Sequence, residues 1–172
     1  TGIVCVRGAG QCSAAWEVRA SAAVQNAFAA VWETEELLTS MDGLILWRPW
    51  REKPPSIVEE WRTRSAWLHV DQNVGRRPGL EAVQGLVALT AADPETTGGF
   101  VCAPSSHRSE ASEPLRRSYG SNLRRRGDFL AVPRGDPLQG LTVGVQLRPG
   151  DLVLWDSRVA HGSEPAPLVP SK

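Results

Sequence analysis

The feature that most constrains the fold is a series of short apolar runs in the later part of the chain, each too short to form a helix. These runs are rich in valine and leucine, and they cover residues 66–70, 85–90, 99–103, 141–147 and 151–155. Turn signals such as "RRPG", "DPETTGG" and "RPGD" separate them. Strands and helices do not alternate here, which argues against a doubly wound parallel sheet. The pattern predicts a mainly β fold, either a sandwich or a jelly roll.

A helical pattern precedes these strands. Between residues 14 and 32, apolar side chains recur at spacings of three and four, which predicts one amphipathic helix with Ser13 as its N-cap. The stretch "GLILWRPW" then reads as a strand ended by Pro49, and "REKPPSIVEEW" as a polar connection. We expect the helix to flank the β core and to pack on one of its sheets.

Size and charge limit the classes of function. With 172 residues, of which 41% are hydrophobic, the chain suits a single domain over residues 1–172. Its 19 basic and 19 acidic residues cancel, so no overall field would attract nucleic acid or a membrane surface. No apolar run approaches the ~20 residues of a membrane span. We therefore expect no nucleic acid partner, and any substrate must be recognised locally.

Cysteine usage bears on the compartment. Cys5, Cys12 and Cys102 are spaced neither as a zinc ribbon nor as a disulfide framework. This favours a reducing, intracellular environment, most simply the cytoplasm. Because the chain begins at Thr1 rather than Met, the sequence leaves open whether an organelle-targeting segment has been removed.

A metal-binding pattern lies in "WLHVDQN", residues 67–73. On a strand, side chains at i and i+2 share a face, so His69 and Asp71 would project together. His161, just beyond the run at 151–155, offers a third ligand. Two histidines and one carboxylate on one face of an Fe(II) ion leave positions open for an oxo acid and dioxygen. Alone, a His-x-Asp pair is more often an ordinary polar pair, so the surrounding sequence must decide.

Three segments in order carry a wider resemblance: "WLHVDQN", "VQGLVALTAADPETTGGFVCAPSSHR" and "RPGDLVLWDSRVAHGSEPA". Over residues 42–165 the chain resembles the phytanoyl-CoA dioxygenase family of Fe(II)/2-oxoglutarate oxygenases. The resemblance implies a double-stranded β-helix, or jelly-roll, core with His69, Asp71 and His161 as the iron ligands and catalytic centre. It also implies Fe(II) as cofactor, 2-oxoglutarate as co-substrate, and oxidation, typically hydroxylation, of a small molecule.

Other positions near these motifs are candidates for cofactor binding. Gln84 lies at the start of the strand on which related enzymes often place a polar side chain against the oxo acid. A glutamine with no such role, lying at the end of a strand, is the alternative. Asp156 and Arg158 could orient His161 or line the pocket, since metal-binding histidines usually donate their second ring N–H to an outer acceptor. A surface role for Arg158 is an equal alternative.

The chain departs from the family pattern at two places. Ser105 stands where the family turn has glycine, and His107 in that turn is expected to be a turn or outer residue rather than a ligand. In the family, a cationic side chain binds the far carboxylate of 2-oxoglutarate. The corresponding position here is Lys172, the last residue, although the forked guanidinium of an arginine suits a carboxylate better. The chain is therefore expected to be a fragment lacking its C-terminal strands, or else to have lost 2-oxoglutarate binding.

Two further hypotheses follow from that departure. The chain could be a catalytically inert jelly-roll module or assembly subunit with a vestigial or structural metal site, or a cupin-like metal enzyme that uses no oxo acid. The arginine-rich stretch 108–128 is predicted to be a solvated insertion loop, with a lid or an anionic-substrate loop as the alternative. Substrate identity and oligomeric state are not determined by the sequence.

Overall fold

The protein was analysed as a computed structural model, which describes residues 2–4, 8–48, 50, 53–62 and 67–165. The chain divides into two compact units, Thr1–Thr63 and Arg64–Lys172. In the part of the chain that is described, no helix has both the length and the apolar character needed to cross a membrane.

The first unit is mainly helical. Its two short strands, β1 (Ile3–Val4) and β2 (Leu44–Ile45), pair antiparallel. Its helices are α1 (Ser13–Ala20), α2 (Ala22–Trp32) and α3 (Pro55–Trp61). Of the strand predicted in "GLILWRPW", only β2 forms.

Three predictions for this unit were wrong. The single helix over 14–32 is broken at Ser21, whose φ of −59° and ψ of 124° lie outside the helical region. The residue before the first helix is Cys12 rather than Ser13, and its side chain makes no capping hydrogen bond. The polar connection contains helix α3, which begins with Pro55, and a proline is tolerated at a first helical position because its missing N–H would be unpaired there anyway.

The second unit contains most of the sheet. Its strands are β3 (His69–Val70), β4 (Val83–Val87), β5 (Gly99–Cys102), β6 (Leu130–Ala131), β7 (Val143–Gly144), β8 (Leu152–Asp156) and β9 (His161–Glu164). Five of them form one sheet in the order β6-β3-β9-β5-β7, and β4 and β8 form a second. All pairings are antiparallel. This sheet-rich unit with added helices is consistent with a cupin-like fold.

Each of the five predicted apolar runs overlaps one of these strands, but two strands were missed. Strand β9 reads "HGSE" and β6 has two residues, so neither shows apolar alternation. They form because neighbouring strands supply hydrogen-bonding partners on both sides of β9 and on one side of β6. Pairing of this kind cannot be read from local periodicity.

The hydrophobic core lies on one face of the larger sheet. It is formed by Leu68, Val70, Ala103, Leu115, Leu123, Leu130, Val132, Leu138 and Ala160. Because side chains alternate along a strand, Leu68 and Val70 point into this core while His69 points to the opposite face. The core therefore anchors β3 and leaves the other face of the sheet for the metal-binding pattern.

The arginine-rich stretch 108–128 is not the loop predicted from its composition. It forms α4 (Ser109–Tyr119) followed by a 3-10 helix, Gly120–Arg125. Leu115 and Leu123 are 2% and 8% exposed, and both belong to the core. Leu115 is the buried leucine of α4 and Leu123 that of the 3-10 helix, so few apolar residues stabilise this polar segment and it depends on tertiary packing.

Candidate metal centre

The strand register brings the two predicted histidine ligands together. His69 on β3 and His161 on β9 are directly opposed Cα partners of an antiparallel pair. Opposed residues in such a pair project from the same face of the sheet with neighbouring side chains. Their ring centroids lie 4.4 Å apart, and the two residues are 4% and 5% exposed.

Asp71 completes the cluster immediately after β3. Its Oδ1 lies 3.6 Å from His69 Nε2, and its Oδ2 lies 3.4 Å from His161 Nε2. The potential ligand atoms of the three residues all lie within 4.8 Å of one another. Among the described residues, these three form the group of histidine, cysteine and acidic side chains that could hold a metal ion. The structure thus brings the three predicted ligands together, with both histidines buried and Asp71 partly exposed.

Backbone carbonyls orient both imidazole rings. His69 Nδ1 lies 2.8 Å from the carbonyl oxygen of Trp67, and His161 Nδ1 lies 2.9 Å from that of Val159. With Nδ1–H donating to a carbonyl, each ring presents the lone pair of Nε2 toward Asp71, which is the tautomer that a metal ligand requires. The two rings are therefore arranged to coordinate before any ion binds.

Aromatic rings enclose the histidines. His69 is stacked between Trp67 and Phe129, with centroid distances of 4.6 and 4.8 Å. The ring of Trp155 lies 5.1 Å from that of His161, and Phe100 contacts Trp155 at 4.5 Å. Such a shell limits water access and restricts ring rotation, and both effects strengthen a metal site. Trp67 and Trp155 thus form walls of the site.

The smaller sheet faces the triad with two polar side chains. Gln84 on β4 donates from Nε2 to Asp71 Oδ2 at 2.8 Å. Its register partner on β8 is Trp155. Gln84 Oε1 and Trp155 Nε1 are buried and have no hydrogen-bond partner within the described residues. Unpaired buried polar atoms are uncommon and costly, so this acceptor and donor beside the triad indicate a place for a bound polar ligand.

The protonation state of Asp71 is the one that a metal-binding carboxylate needs. Burial by itself raises the pKa of this carboxyl group, but the neighbouring imidazoles of His161 and His69 and the hydrogen bond from Gln84 outweigh it. The net effect holds the pKa of Asp71 far below its usual range. The carboxylate is therefore ionised at any physiological pH.

A turn next to β5 supports the position of His161. Ser106 in this turn is 2% exposed, and its Oγ accepts the backbone N–H of Ala160 at 2.7 Å. Ser105 adopts a φ of 62°, the left-handed region in which glycine is favoured, which explains why a glycine suits this position. His107 lies outside the triad, as expected, and its buried Nδ1 has no partner in the described part of the chain.

Of the two cationic candidates for cofactor binding, Arg158 lies within the described residues. Arg158 donates from Nε and Nη2 to the carboxylate of Asp156, at 2.9 and 2.5 Å, and from Nη1 to the carbonyl of Pro78 at 2.5 Å. Burial raises the pKa of Asp156, but these hydrogen bonds from Arg158 outweigh it and lower the pKa below its usual value. A cofactor role for Arg158 stays a prediction. Lys172 lies outside the described residues.

Comparison with known proteins places the chain in a family. A family model described as phytanoyl-CoA dioxygenase (PhyH) matches residues 18–166. The chain belongs to this family. Ava biosynthesis cluster protein O of Aspergillus versicolor is 32% identical to it over 161 residues, which are 86% of this chain and 48% of that protein. The chain thus spans about half the length of this curated relative. No solved structure matches it.

Family membership confirms the resemblance on which the sequence analysis relied. The family implies an oxygenase-type enzyme, its members generally depend on Fe(II) and 2-oxoglutarate, and the His-Asp-His set in this site is the expected one. Sequence reasoning did not foresee the stacking of Phe129 on His69 or the support from Ser106. Neither residue carries a local signal, because both reach the site through long-range pairing.

Proposed function

We propose that this chain is a catalytic domain of an Fe(II)/2-oxoglutarate-dependent dioxygenase that hydroxylates or otherwise oxidises a small-molecule substrate. The observation that carries the proposal is the convergence of two buried Nε2 atoms and one partly exposed carboxylate in an aromatic-walled site. Iron would be held by His69, Asp71 and His161. This set of nitrogen and oxygen donors is typical of oxygenases, and it leaves coordination positions open.

Iron and 2-oxoglutarate, when bound, supply the reaction with dioxygen that oxidises the substrate. The chain itself binds, orients and excludes water. The carbonyls of Trp67 and Val159 hold the two imidazoles in the coordinating tautomer. The rings of Trp67, Phe129 and Trp155 shield the site from solvent and side reactions.

Gln84 and Trp155 are the residues that we propose contact the oxo acid. Gln84 is fixed by its hydrogen bond to Asp71, so its free Oε1 has a set direction. The indole N–H of Trp155 is an unused donor beside His161, suited to a carboxylate oxygen. For the far carboxylate of the oxo acid, Lys172 is retained as a proposed partner, with Arg158 as the alternative.

The fold and the location are part of the same proposal. A double-stranded β-helix is supported by two antiparallel sheets, which both contribute side chains around the triad. The family match over 18–166 includes parts of both compact units and supports one domain over 1–172. Cys12 and Cys102 are free thiols, which supports an intracellular, cytoplasmic protein.

The test is an anaerobic titration of the whole chain with Fe(II) and 2-oxoglutarate, followed through the visible charge-transfer band of the chelate and through bound iron. We expect a band in the wild type and in His107→Ala, a matched histidine control outside the triad. The band should be absent in His161→Ala. If iron binds and the wild type gives no band at saturating oxo acid, the proposal is wrong, and either a metal enzyme that uses no oxo acid or an inert module takes its place.

An inert module is the second candidate. One observation favours it: the guanidinium of Arg158, the described cation nearest in sequence to His161, is already engaged by Asp156 and Pro78. This candidate requires that iron fails to bind tightly, or that it binds without the oxo acid. Bound iron together with the band excludes it.

A further inference from the structure

A second concave site, distinct from the triad, lies between the segment that follows Asp71 and the helical segment that begins with α4. This arginine groove has a volume of about 890 Å³, within the ~300–1,000 Å³ typical of small-molecule sites. None of the triad residues lines it. Its lining comes from Val74, Gly75, Arg76, Pro78, Glu113, Arg116, Arg117, Gly120, Ser121, Leu123 and Arg124.

The groove concentrates positive charge in a chain with no net charge. Its one acidic residue, Glu113, is paired with Arg117 at 2.9 Å. Arg76, Arg116 and Arg124 form no ion pair with a described carboxylate. The groove therefore presents three uncompensated guanidinium groups to whatever enters it.

The two walls are fixed to each other by a buried side chain. Asn73 is fully buried, and its Nδ2 donates to the carbonyls of Leu123 at 2.7 Å and Gly127 at 3.2 Å. Gly75 packs so closely on Leu123 that a Cβ at this position would lie 2.6 Å from Leu123 Cδ2. The groove is thus a defined feature of the fold rather than a chance gap between surface side chains.

The groove also begins close to the metal centre. Val74 follows Asp71 by three residues, and three residues extend at most about 11 Å. A small molecule with an anionic group in the groove could therefore present another part of itself toward the triad.

We propose that the arginine groove binds the phosphate group of a small organic phosphate or diphosphate. Three guanidiniums without a carboxylate partner match the two or three negative charges of such a group, whereas a single carboxylate would compensate one of them. Guanidinium forks also bind phosphate oxygens in pairs, with charge-assisted hydrogen bonds. The inference that this phosphate anchors the molecule to be oxidised rests on the proposed function; the binding itself does not.

Inorganic pyrophosphate is the probe, titrated into the whole chain in a calorimeter at physiological ionic strength. We expect Arg116→Gln/Arg124→Gln to weaken binding at least about tenfold, because each arginine contributes charge-assisted hydrogen bonds. The matched control is Arg134→Gln/Arg148→Gln, which removes the same charge from exposed positions outside the groove. This control should bind like the wild type. Arg124→Gln alone, at an exposed position, tests the same contact with little risk to folding.

Three results would overturn the proposal. The first is that pyrophosphate does not bind at millimolar concentration. This result overturns the proposal even if a single-stranded oligonucleotide binds instead. Another is equal weakening by the groove and control variants, which would indicate a general charge effect. The last is loss of pyrophosphate binding in His161→Ala, which would place the anion on the metal. Conversely, pyrophosphate binding retained in a chain that gives no oxo-acid band would leave the groove standing and refute the oxygenase proposal alone.

Discussion

The hydrogen bond from Ala160 N–H to Ser106 Oγ gives the sharpest test of how the turn supports the metal centre. Both residues are buried, at 0% and 2% exposure, and the bond is 2.7 Å long. Ser106→Ala removes the acceptor and leaves a buried amide unpaired, which costs ~1–3 kcal/mol. Little volume is lost, so cavity formation adds little. We expect the free energy of unfolding to fall by about 2 kcal/mol, which lowers the melting temperature by roughly 4–8 °C in a chain of this size.

Urea unfolding followed by tryptophan fluorescence measures this loss, and seven tryptophans provide the signal. The matched control is Ser118→Ala, whose exposed hydroxyl donates to the Pro114 carbonyl at 3.0 Å. That change should alter stability by less than ~0.5 kcal/mol. Because Ala160 directly precedes His161, Fe(II) affinity should also fall, by about tenfold. If Ser106→Ala and Ser118→Ala destabilise equally, the amide of Ala160 has another partner and the reasoning fails.

Three more predictions follow. Ser105→Gly should raise stability by up to ~1 kcal/mol, measured by urea unfolding, because glycine relieves the left-handed φ of 62°; Ser105→Val should lower it. Asp156→Asn should destabilise by about 2 kcal/mol at pH 7 through loss of charged hydrogen bonds to Arg158. Because folding lowers the pKa of Asp156, its stabilisation is fully present above the unfolded pKa of ~3.9, so the difference between wild type and variant should begin to narrow below about pH 4 and disappear only below the folded pKa. Trp155→Phe keeps a ring beside His161 but removes the indole donor, and should weaken 2-oxoglutarate binding about tenfold in the titration of the chelate band.

Each of these predictions has an opposing result. Equal stability of the glycine and valine variants at position 105 would mean that the turn relaxes out of its left-handed conformation. A pH-independent gap between Asp156→Asn and the wild type would assign its effect to packing rather than charge. Unchanged oxo-acid affinity in Trp155→Phe would mean that the indole N–H binds the substrate or water rather than the oxo acid.

The sequence by itself determined the chemistry of the site and the regions of the strands. The i, i+2 spacing of His69 and Asp71 puts them on one face of any strand, and that face is opposite to Leu68 and Val70. The apolar runs and their turn signals marked where strands form, because alternation and turn preferences are local properties. This spacing made the triad a candidate, and the resemblance to the phytanoyl-CoA dioxygenase family made it a prediction before any tertiary contact was known.

Tertiary structure decided the rest. His161 meets His69 only through the pairing of β9 with β3, and β9 has no apolar pattern of its own. The arginine-rich stretch becomes helical because Leu115 and Leu123 reach a core built from distant strands. Arg158 could have faced solvent or the pocket, and contacts with Asp156 and Pro78 decided its place. In each case the deciding free energy comes from burial and pairing between segments far apart in the chain, which local periodicity does not encode.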